Sequence, residues 1–216
     1  MMKLFVWDFH GVLEKDNDLA VLDISNQVLA QAGYDERFSE EDNKEYYGLK
    51  WYEYFERLLP QLDKEEHMAL QAACFNFAEN HLEVLAKHIK PNDHAIDVLK
   101  AIHEAGHDQI ILSNTRPNDL LWFVDAVSIK LYFSDEKIIG VNAHEKHGNK
   151  QEALKDYLQD KNFDEIVHIG DSESDMKLKE VDGGTTYFYN HPHIVPQEKV
   201  VADHVINDLL EVLREV

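Results

Sequence analysis

The chain has 216 residues, of which 44% are hydrophobic and 29% are charged. This composition is that of a globular protein, and the length is sufficient to bury a core without disulfides. Asp and Glu number 42 against 21 Lys and Arg, so the formal net charge is −21. Because nucleic acids and anionic bilayers are themselves negative, this charge argues against either one as a partner.

Cys74 is the single cysteine, so no disulfide can form within the chain, as is usual in a reducing compartment. The apolar run near the N-terminus is too short for a signal peptide, and no other apolar run approaches the about 18 residues of a membrane span. We therefore expect a soluble cytoplasmic protein that does not bind a membrane. The sequence leaves its oligomeric state open.

The first predicted element is a short apolar strand at 3–7, which ends at Asp8 and is followed by a tight turn at Gly11. From about 17 to 89 the hydrophobic residues keep helical spacing, and no strand is evident. The predicted helices of this block are one that Gly33 ends, one that Ser39 caps and that continues to Leu58, and one from Met68 to Ile89. Its many aromatic residues are expected to form helix core more than to bind substrate.

Strands and helices alternate after Pro91. Asn92 is expected to cap a helix that ends at Gly106. The predicted strands that follow are 109–112, 129–133, 165–169 and about 185–189, and the predicted helices are 118–127, 149–159 and a last one from Asn207. This alternation indicates an α/β fold, with a parallel sheet and helices on both of its faces.

Reactive polar side chains follow three of the predicted strands. Asp8 and His10 come after the first strand, Ser113 after the second, and Asp171 and Asp175 after a later one. In an open parallel sheet, ligands bind outside the carboxyl ends of the strands. Carboxylates that crowd there repel one another unless a proton or cation intervenes, and a hard cation with oxygen ligands, Mg²⁺ above all, fits such a set.

Four motifs in this order resemble the haloacid dehalogenase (HAD) superfamily: Asp-Phe-His-Gly-Val from Asp8, Leu-Ser-Asn around Ser113, a lysine at a helix start, and Gly-Asp-Ser-x-x-Asp through Asp171. The resemblance covers about 3–14 and 91–190. It implies a Rossmann-like core formed by 1–14 and 90–216, with an inserted α-helical cap of the C1 type at 15–89. It also implies a Mg²⁺-dependent phosphatase that acts through an aspartyl-phosphate on a small phosphorylated metabolite.

The resemblance assigns roles to the residues of the motifs. Asp8 is the expected nucleophile, because a carboxylate can attack a phosphoryl centre and form a covalent intermediate that water then cleaves. Ser113 is expected to hydrogen-bond the transferring phosphoryl group. The expected Mg²⁺ ligands are Asp8, Asp171, Asp175 and the backbone carbonyl of His10. Asp175 has the alternatives of orienting the lysine or a metal-bound water, or of capping a helix.

A cation is needed to offset the phosphoryl oxygens, and Lys150 and Lys146 are the two candidates. Lys150 is preferred because it begins a predicted helix, as the third-motif lysine of the family often does. Gly11, Asn114 and Arg116 are the further candidates for binding the substrate. A turn after the buried strand is the alternative for Asn114, and a solvated side chain is the leading alternative for Arg116.

His10 departs from the family pattern, because phosphatases of the superfamily usually place a second Asp two residues after the nucleophile. Histidine can do the same acid–base work near neutrality. The alternatives are a slow enzyme whose general acid lies elsewhere, or loss of hydrolysis and a role in binding a phosphorylated ligand or a partner protein. A phosphomutase or phosphotransferase, and remotely a carbon–phosphorus bond-cleaving enzyme that uses Lys50, also remain open.

Overall fold

The computed structural model describes residues 1–47, 49–141, 148–191 and 200–216. These residues divide into two compact units. The α/β unit takes in residues 1–15, 90–141, 148–191 and 200–216, and the helical unit takes in residues 16–47 and 49–89.

A six-stranded parallel sheet forms the centre of the α/β unit, with the strand order β5-β4-β1-β6-β7-β8. Its strands are β1 (Lys3–Trp7), β4 (Asp108–Ser113), β5 (Ile138–Gly140), β6 (Glu165–Gly170), β7 (Thr185–Tyr189) and β8 (His204–Ile206). The short strands β2 (Glu14–Lys15) and β3 (Lys90–Pro91) pair with each other in antiparallel fashion. The α/β fold with a parallel sheet is therefore confirmed.

Five helices make up the described part of the helical unit: α1 (Asn17–Gln31), α2 (Glu40–Tyr46), α3 (Trp51–Leu58), α4 (Lys64–Asn80) and α5 (Leu82–His88). Ser39 caps α2 with a reciprocal bond to Asp42, and Asp63 caps α4 in the same way with Glu66. The core of the unit includes four aromatic side chains that pack edge to face: Phe38, Tyr46, Tyr54 and Phe55.

Two helices of this unit are shorter than predicted. The helix expected from Ser39 to Leu58 is divided into α2 and α3, and the one expected from Met68 to Ile89 is divided at His81. His81 leaves the helical backbone conformation, with φ −134° and ψ 55°, and its ring stacks on Phe77 with 4.2 Å between centroids. Hydrophobic spacing continues across such a break, which is why periodicity alone did not reveal it.

Helices cover both faces of the sheet. The α/β unit contains α6 (Ala95–Glu104), α7 (Pro117–Ala126), α8 (Lys150–Leu158), α9 (Glu173–Met176) and α10 (Lys179–Asp182). Leu4 and Val6 of β1 pack on one face against Ala153 and Leu154 of α8. On the other face the indole N–H of Trp7 donates to the side-chain oxygen of Gln109 at 3.2 Å. The side-chain NH₂ of Gln109 in turn donates to a backbone carbonyl of α6.

The strands predicted at 3–7, 109–112, 165–169 and 185–189 are confirmed, but the strand predicted at 129–133 is wrong. A 3₁₀ turn, Lys130–Tyr132, occupies that segment instead. Ser128 has φ 60° and ends α7 in a left-handed turn, so that Ile129 donates back to Val124. Ile129 and Phe133 are buried while Leu131 is 71% exposed, so the alternating pattern does not mark one face of a strand.

Two other predicted elements also differ. The last predicted helix, from Asn207, is a 3₁₀ helix at Leu209–Glu215, and the strand β8 before it was not predicted. Asn92 does not cap α6, which begins after His94 in a left-handed conformation. The side chain of Asn92 instead donates to the carbonyl of Val12 at 2.8 Å.

Among the described residues, no helix is both long enough and apolar enough to cross a lipid bilayer.

Asn92 holds the loop that follows β1 in place. Its side-chain NH₂ donates to the carbonyls of Gly11 and Val12, and its backbone N–H donates to the carbonyl of Leu13 at 2.9 Å. We expect Asn92→Ala to lower the free energy of unfolding by about 1–3 kcal/mol, because buried carbonyls lose their donor. Urea unfolding measures this, with Asn80→Ala, at an exposed helical asparagine, as a control that stays within about 0.5 kcal/mol. Equal effects of the two changes would contradict the role of Asn92.

Candidate active site

The carboxyl ends of three adjacent strands bring the predicted reactive residues together. β1 lies between β4 and β6, with Trp7 level with Ile111 on one side and Ile169 on the other. Asp8 therefore comes directly after the central strand, where its backbone N–H donates to the carbonyl of Ile169 at 2.9 Å. Ser113 ends β4, on the neighbouring strand.

Lys150 is the cation of this strand-end site. It begins α8, its side chain is only 3% exposed, and its Nζ lies 2.8 Å from Asp8 Oδ1 and 2.6 Å from Asp175 Oδ1. A buried ammonium is stable only where it is paired and hydrogen-bonded, and two carboxylates meet that need here. The structure thus places Lys150 where the sequence predicts it. The alternative candidate Lys146 lies outside the described residues.

Both oxygens of Asp175 are engaged. Oδ1 accepts from Lys150, while Oδ2 accepts from the backbone N–H of Ser172 at 3.1 Å and from its hydroxyl at 2.5 Å. Asp175 therefore orients the lysine and also completes the capping box of α9, so two of its predicted alternatives hold at once. Gly170 makes this close packing possible, because a Cβ at that position would lie 2.2 Å from Asp175 Cβ.

Asp8, Asp171 and Asp175 form the acidic group of the site, with ligand oxygens that all lie within 4.8 Å of one another. Asp171 Oδ2 is 2.8 Å from Nε2 of His191, which follows β7. Three carboxylates and one ammonium have a formal net charge of −2 when all are ionised. Oxygen donors with this excess of negative charge suit a hard divalent cation.

Burial and charge shift the ionisation of this group. Burial raises the pKa of Asp8 above its usual range, and the carboxylate of Asp175 raises it further, while Lys150 offsets part of the effect. Burial alone would lower the pKa of Lys150, but the carboxylates of Asp175 and Asp8 outweigh burial and raise it. Lys150 thus remains an ammonium, and Asp8 is the group for which ionisation is unfavourable.

Ser113 is buried, and its hydroxyl lies 3.1 Å from that of Thr115. Asn114 between them is exposed. The guanidinium of Arg116 donates to the carboxylate of Asp119, in the first turn of α7, at 2.5 Å. The sequence predictions that these residues bind phosphate or substrate stay predictions.

The loop between Asp8 and β2 is tightly folded. Gly11 has φ 80°, in the left-handed region that favours glycine. The ring of His10 lies between Phe9 and Phe123, edge to face with each, and its Nδ1 is 2.9 Å from Glu14 Oε2. The side chain of His10 is one quarter exposed, whereas that of Glu14 is fully buried.

Sequence reasoning missed several residues that support the site. Glu14 and His191 each lie against a predicted site residue, but neither belongs to a strand-end motif. Thr115, whose hydroxyl lies beside that of Ser113, belongs to the polar segment after the second strand but was given no role. The short sequence spacing from His10 to Glu14, one helical turn, was the one available signal. Gly140 was also missed: a Cβ there would lie 2.5 Å from the carbonyl of Thr115, so β5 needs glycine to let the loop after β4 pass.

We expect Gly170→Ala to disrupt the site, because the added methyl group cannot fit against Asp175 without moving it away from Lys150. The free energy of unfolding should fall by about 2 kcal/mol or more. Urea unfolding and a crystal structure would measure the two effects. Gly148→Ala is the control, since a Cβ there meets only the flexible end of Glu152 at 3.2 Å. An unchanged Lys150–Asp175 contact in the variant would refute this steric account.

We expect Asp8→Asn to stabilise the metal-free protein at pH 8, by on the order of 1–3 kcal/mol. Because the pKa of Asp8 is raised in the folded state, ionised Asp8 destabilises the fold above that pKa. As the pH falls through the raised pKa towards the ordinary carboxyl range, Asp8 takes up a proton and the advantage of Asn disappears. Thermal unfolding in a chelating buffer at pH 8 and pH 5 measures the difference.

Asp203→Asn is the matched control for this experiment. Lys179, followed by Thr186, lowers the pKa of Asp203 to about 2. Its ionised form therefore stabilises the fold at both pH values, and the variant should lose a similar, small amount of stability at each. Destabilisation by Asp8→Asn at pH 8 would show that the carboxylates do not repel as described.

Comparisons with known proteins agree with this architecture. A family model described as haloacid dehalogenase-like hydrolase matches residues 2–178. A search of curated proteins gave no match. A haloacid dehalogenase-like family protein from Streptococcus pneumoniae has a TM-score of 0.77 at 14% identity, with 100% of this chain and 98% of that chain covered.

Two further solved structures have names that specify an activity. One is a predicted phosphoglycolate phosphatase from Haemophilus somnus, with a TM-score of 0.76, 16% identity, and coverage of 99% of this chain and 97% of that chain. The other is a predicted phosphatase from Clostridium acetobutylicum, with a TM-score of 0.75, 14% identity and the same coverage. At these identities the likeness shows the fold alone. The family model, which spans most of the chain, shows that this protein belongs to the haloacid dehalogenase-like hydrolase family.

Proposed function

We propose that the protein is a Mg²⁺-dependent phosphatase that hydrolyses a small phosphate monoester through an aspartyl-phosphate on Asp8. The observation that carries this proposal is the contact of Asp8 with a buried Lys150, inside a group of three carboxylates at the ends of parallel strands. The names of two structurally similar proteins, which describe them as phosphatases, support the same reaction type. Neither nucleic acid nor membrane enters the proposal.

The acidic group suits Mg²⁺ by its chemistry, since the donors are carboxylate oxygens with an excess negative charge. Asp8 and Asp171 would hold the ion together with the backbone carbonyl of His10, and Asp175 would lie beside it. When bound, Mg²⁺ supplies positive charge that offsets the phosphoryl oxygens and lowers the repulsion around Asp8. The same charge would bring the raised pKa of Asp8 down and keep the nucleophile ionised.

In the first half-reaction, a carboxylate oxygen of Asp8 forms a bond to phosphorus while the bond from phosphorus to the leaving oxygen breaks. His10 gives a proton to that oxygen. In the second, water attacks the phosphorus, the bond from phosphorus to Asp8 breaks, and His10 takes up the proton that water releases. Lys150 and Ser113 stabilise the phosphoryl oxygens, with Gly11, Asn114 and Arg116 as further substrate contacts.

Hydrolysis of an aryl phosphate, with Mg²⁺ and with a chelator, is the test. We expect turnover that depends on Mg²⁺ and that Asp8→Asn abolishes. Lys150→Met should lower kcat/KM by about 100-fold or more, whereas Lys155→Met, on the exposed side of the same helix, should not. Mass spectrometry of acid-quenched enzyme should detect a phosphoryl group on the peptide that contains Asp8.

Full activity of Asp8→Asn would rule out the aspartyl-phosphate. The variant His10→Asp separates the remaining alternatives. If the wild type is inactive and His10→Asp is active, the site is competent and His10 restrains it, which favours a protein that binds phosphorylated ligands. A rate that requires a second hydroxyl compound would favour a phosphotransferase.

A further inference from the structure

We infer that Glu14 is a positioning residue that fixes the orientation and the tautomer of the His10 ring. The catalytic consequence of this inference rests on the proposed function, whereas its structural content does not. The observation is a contact between a fully buried carboxylate and a partly exposed imidazole: Glu14 Oε2 lies 2.9 Å from His10 Nδ1.

The contact determines which ring nitrogen bears the fixed hydrogen. In the inferred arrangement Glu14 is the carboxylate anion, which can only accept hydrogen bonds, so that the hydrogen between the two groups belongs to Nδ1 of His10. Nε2 is then the nitrogen left to exchange a proton with a substrate. The pair resembles the Ser-His-Asp triad, in which a carboxylate accepts a hydrogen bond from Nδ1 and so orients the catalytic histidine.

Aromatic packing restricts the ring as well. The centroid of the His10 ring lies 5.0 Å from that of Phe9 and 4.9 Å from that of Phe123, at interplanar angles of 79° and 83°. Phe9 is fully buried and Phe123 nearly so. With both neighbours fixed in the core and Glu14 bound to Nδ1, the ring is held by three contacts in one rotamer.

Glu14 is itself held by the backbone. Its N–H donates to the carbonyl of Phe9 at 3.0 Å, and it pairs with Pro91 in the β2–β3 ladder. The side chain of Asn92 ties down the same loop through Val12. A positioning residue needs such rigid support, because a misplacement of about 1 Å can cost a large factor in rate.

An Asp at position 10 would not need a partner that selects one tautomer, because either of its two carboxyl oxygens can bear the proton. An imidazole has two distinct nitrogens, of which only one can face the leaving oxygen while the other is bound. A histidine that acts at this position through Nε2 therefore needs a partner on Nδ1. The buried Glu14, four residues later, supplies it.

Solution NMR of the wild type tests the structural content without turnover. We expect a hydrogen on His10 Nδ1 that is protected from exchange, and a single ring orientation. The resonance is identified by its absence in His10→Asn, which is necessary because the chain has 13 histidines. Glu14→Leu should lose the protected hydrogen, and Glu14→Gln, which keeps an acceptor oxygen and the shape, should retain it in part. A protected hydrogen that persists unchanged in Glu14→Leu would overturn the inference.

Two aryl phosphates test the catalytic content. Phenyl phosphate has a poor leaving group that needs a proton, whereas 4-nitrophenyl phosphate has one that departs without it. We expect Glu14→Leu to lower kcat/KM for phenyl phosphate by about 10–100-fold and that for 4-nitrophenyl phosphate by less than about threefold. Glu14→Gln should recover part of the loss. In a His10→Asn background, Glu14→Leu should cause no further loss, because the residue acts through His10.

Asp182→Asn is the matched control, since Asp182 binds the fully buried His168 at 3.0 Å in a carboxylate–histidine pair of the same unit. It should affect stability but leave the ratio of the two kcat/KM values unchanged. Equal losses on both substrates, or a further loss from Glu14→Leu in the His10→Asn background, would overturn the catalytic content. If the wild type hydrolyses neither compound, the proposed function fails, and the NMR result still decides whether Glu14 positions His10.

Discussion

The pairing of one buried ammonium with two carboxylates is the constraint on which the site depends. Lys150 bridges Asp8, at the end of β1, and Asp175, in α9, so a single side chain ties together parts of the chain that are far apart in sequence. Burial disfavours the charged form of the lysine, and the two carboxylates favour it. Because these contacts leave an excess of negative charge, the group still favours a further cation. That residual attraction is what the proposed chemistry would use.

The backbone around the group is shaped to let these side chains approach one another. Gly170 leaves room for Asp175, and Gly140 leaves room for the loop that follows Ser113. Asp175 also caps α9, a helix of only four residues, so the carboxylate that orients the lysine is fixed by the helix that it stabilises. Electrostatics and local backbone structure therefore depend on the same few atoms. This coupling explains why small changes at the glycines should affect the site as strongly as changes at the charged residues.

Much of this arrangement could be predicted from the sequence, and the limits follow from physics. The strands that carry Asp8, Ser113 and Asp171 are short apolar runs that end in polar residues, and topology alone brings such ends together. The partner of each side chain could not be predicted, because contacts such as His191 with Asp171 depend on loops that have no periodicity. The strand expected at 129–133 shows the same limit. Its alternating pattern is real, but the left-handed turn at Ser128 redirects the chain before a strand can form.

The loop from Asp8 to Glu14 has a carboxylate at each end, and the two carboxylates have different neighbours. At Asp8 a partly buried carboxylate faces other carboxylates and a lysine, so its ionisation is finely balanced. At Glu14 a fully buried carboxylate contacts the imidazole of His10, and we infer that this contact sets the orientation of the ring. The loop that joins the two groups is held by the hydrogen bond from Asn92 to Val12 and by the pairing of Glu14 with Pro91 in the β2–β3 ladder. The same short loop therefore carries a carboxylate that faces the lysine and a second carboxylate that lies 2.9 Å from the imidazole of His10.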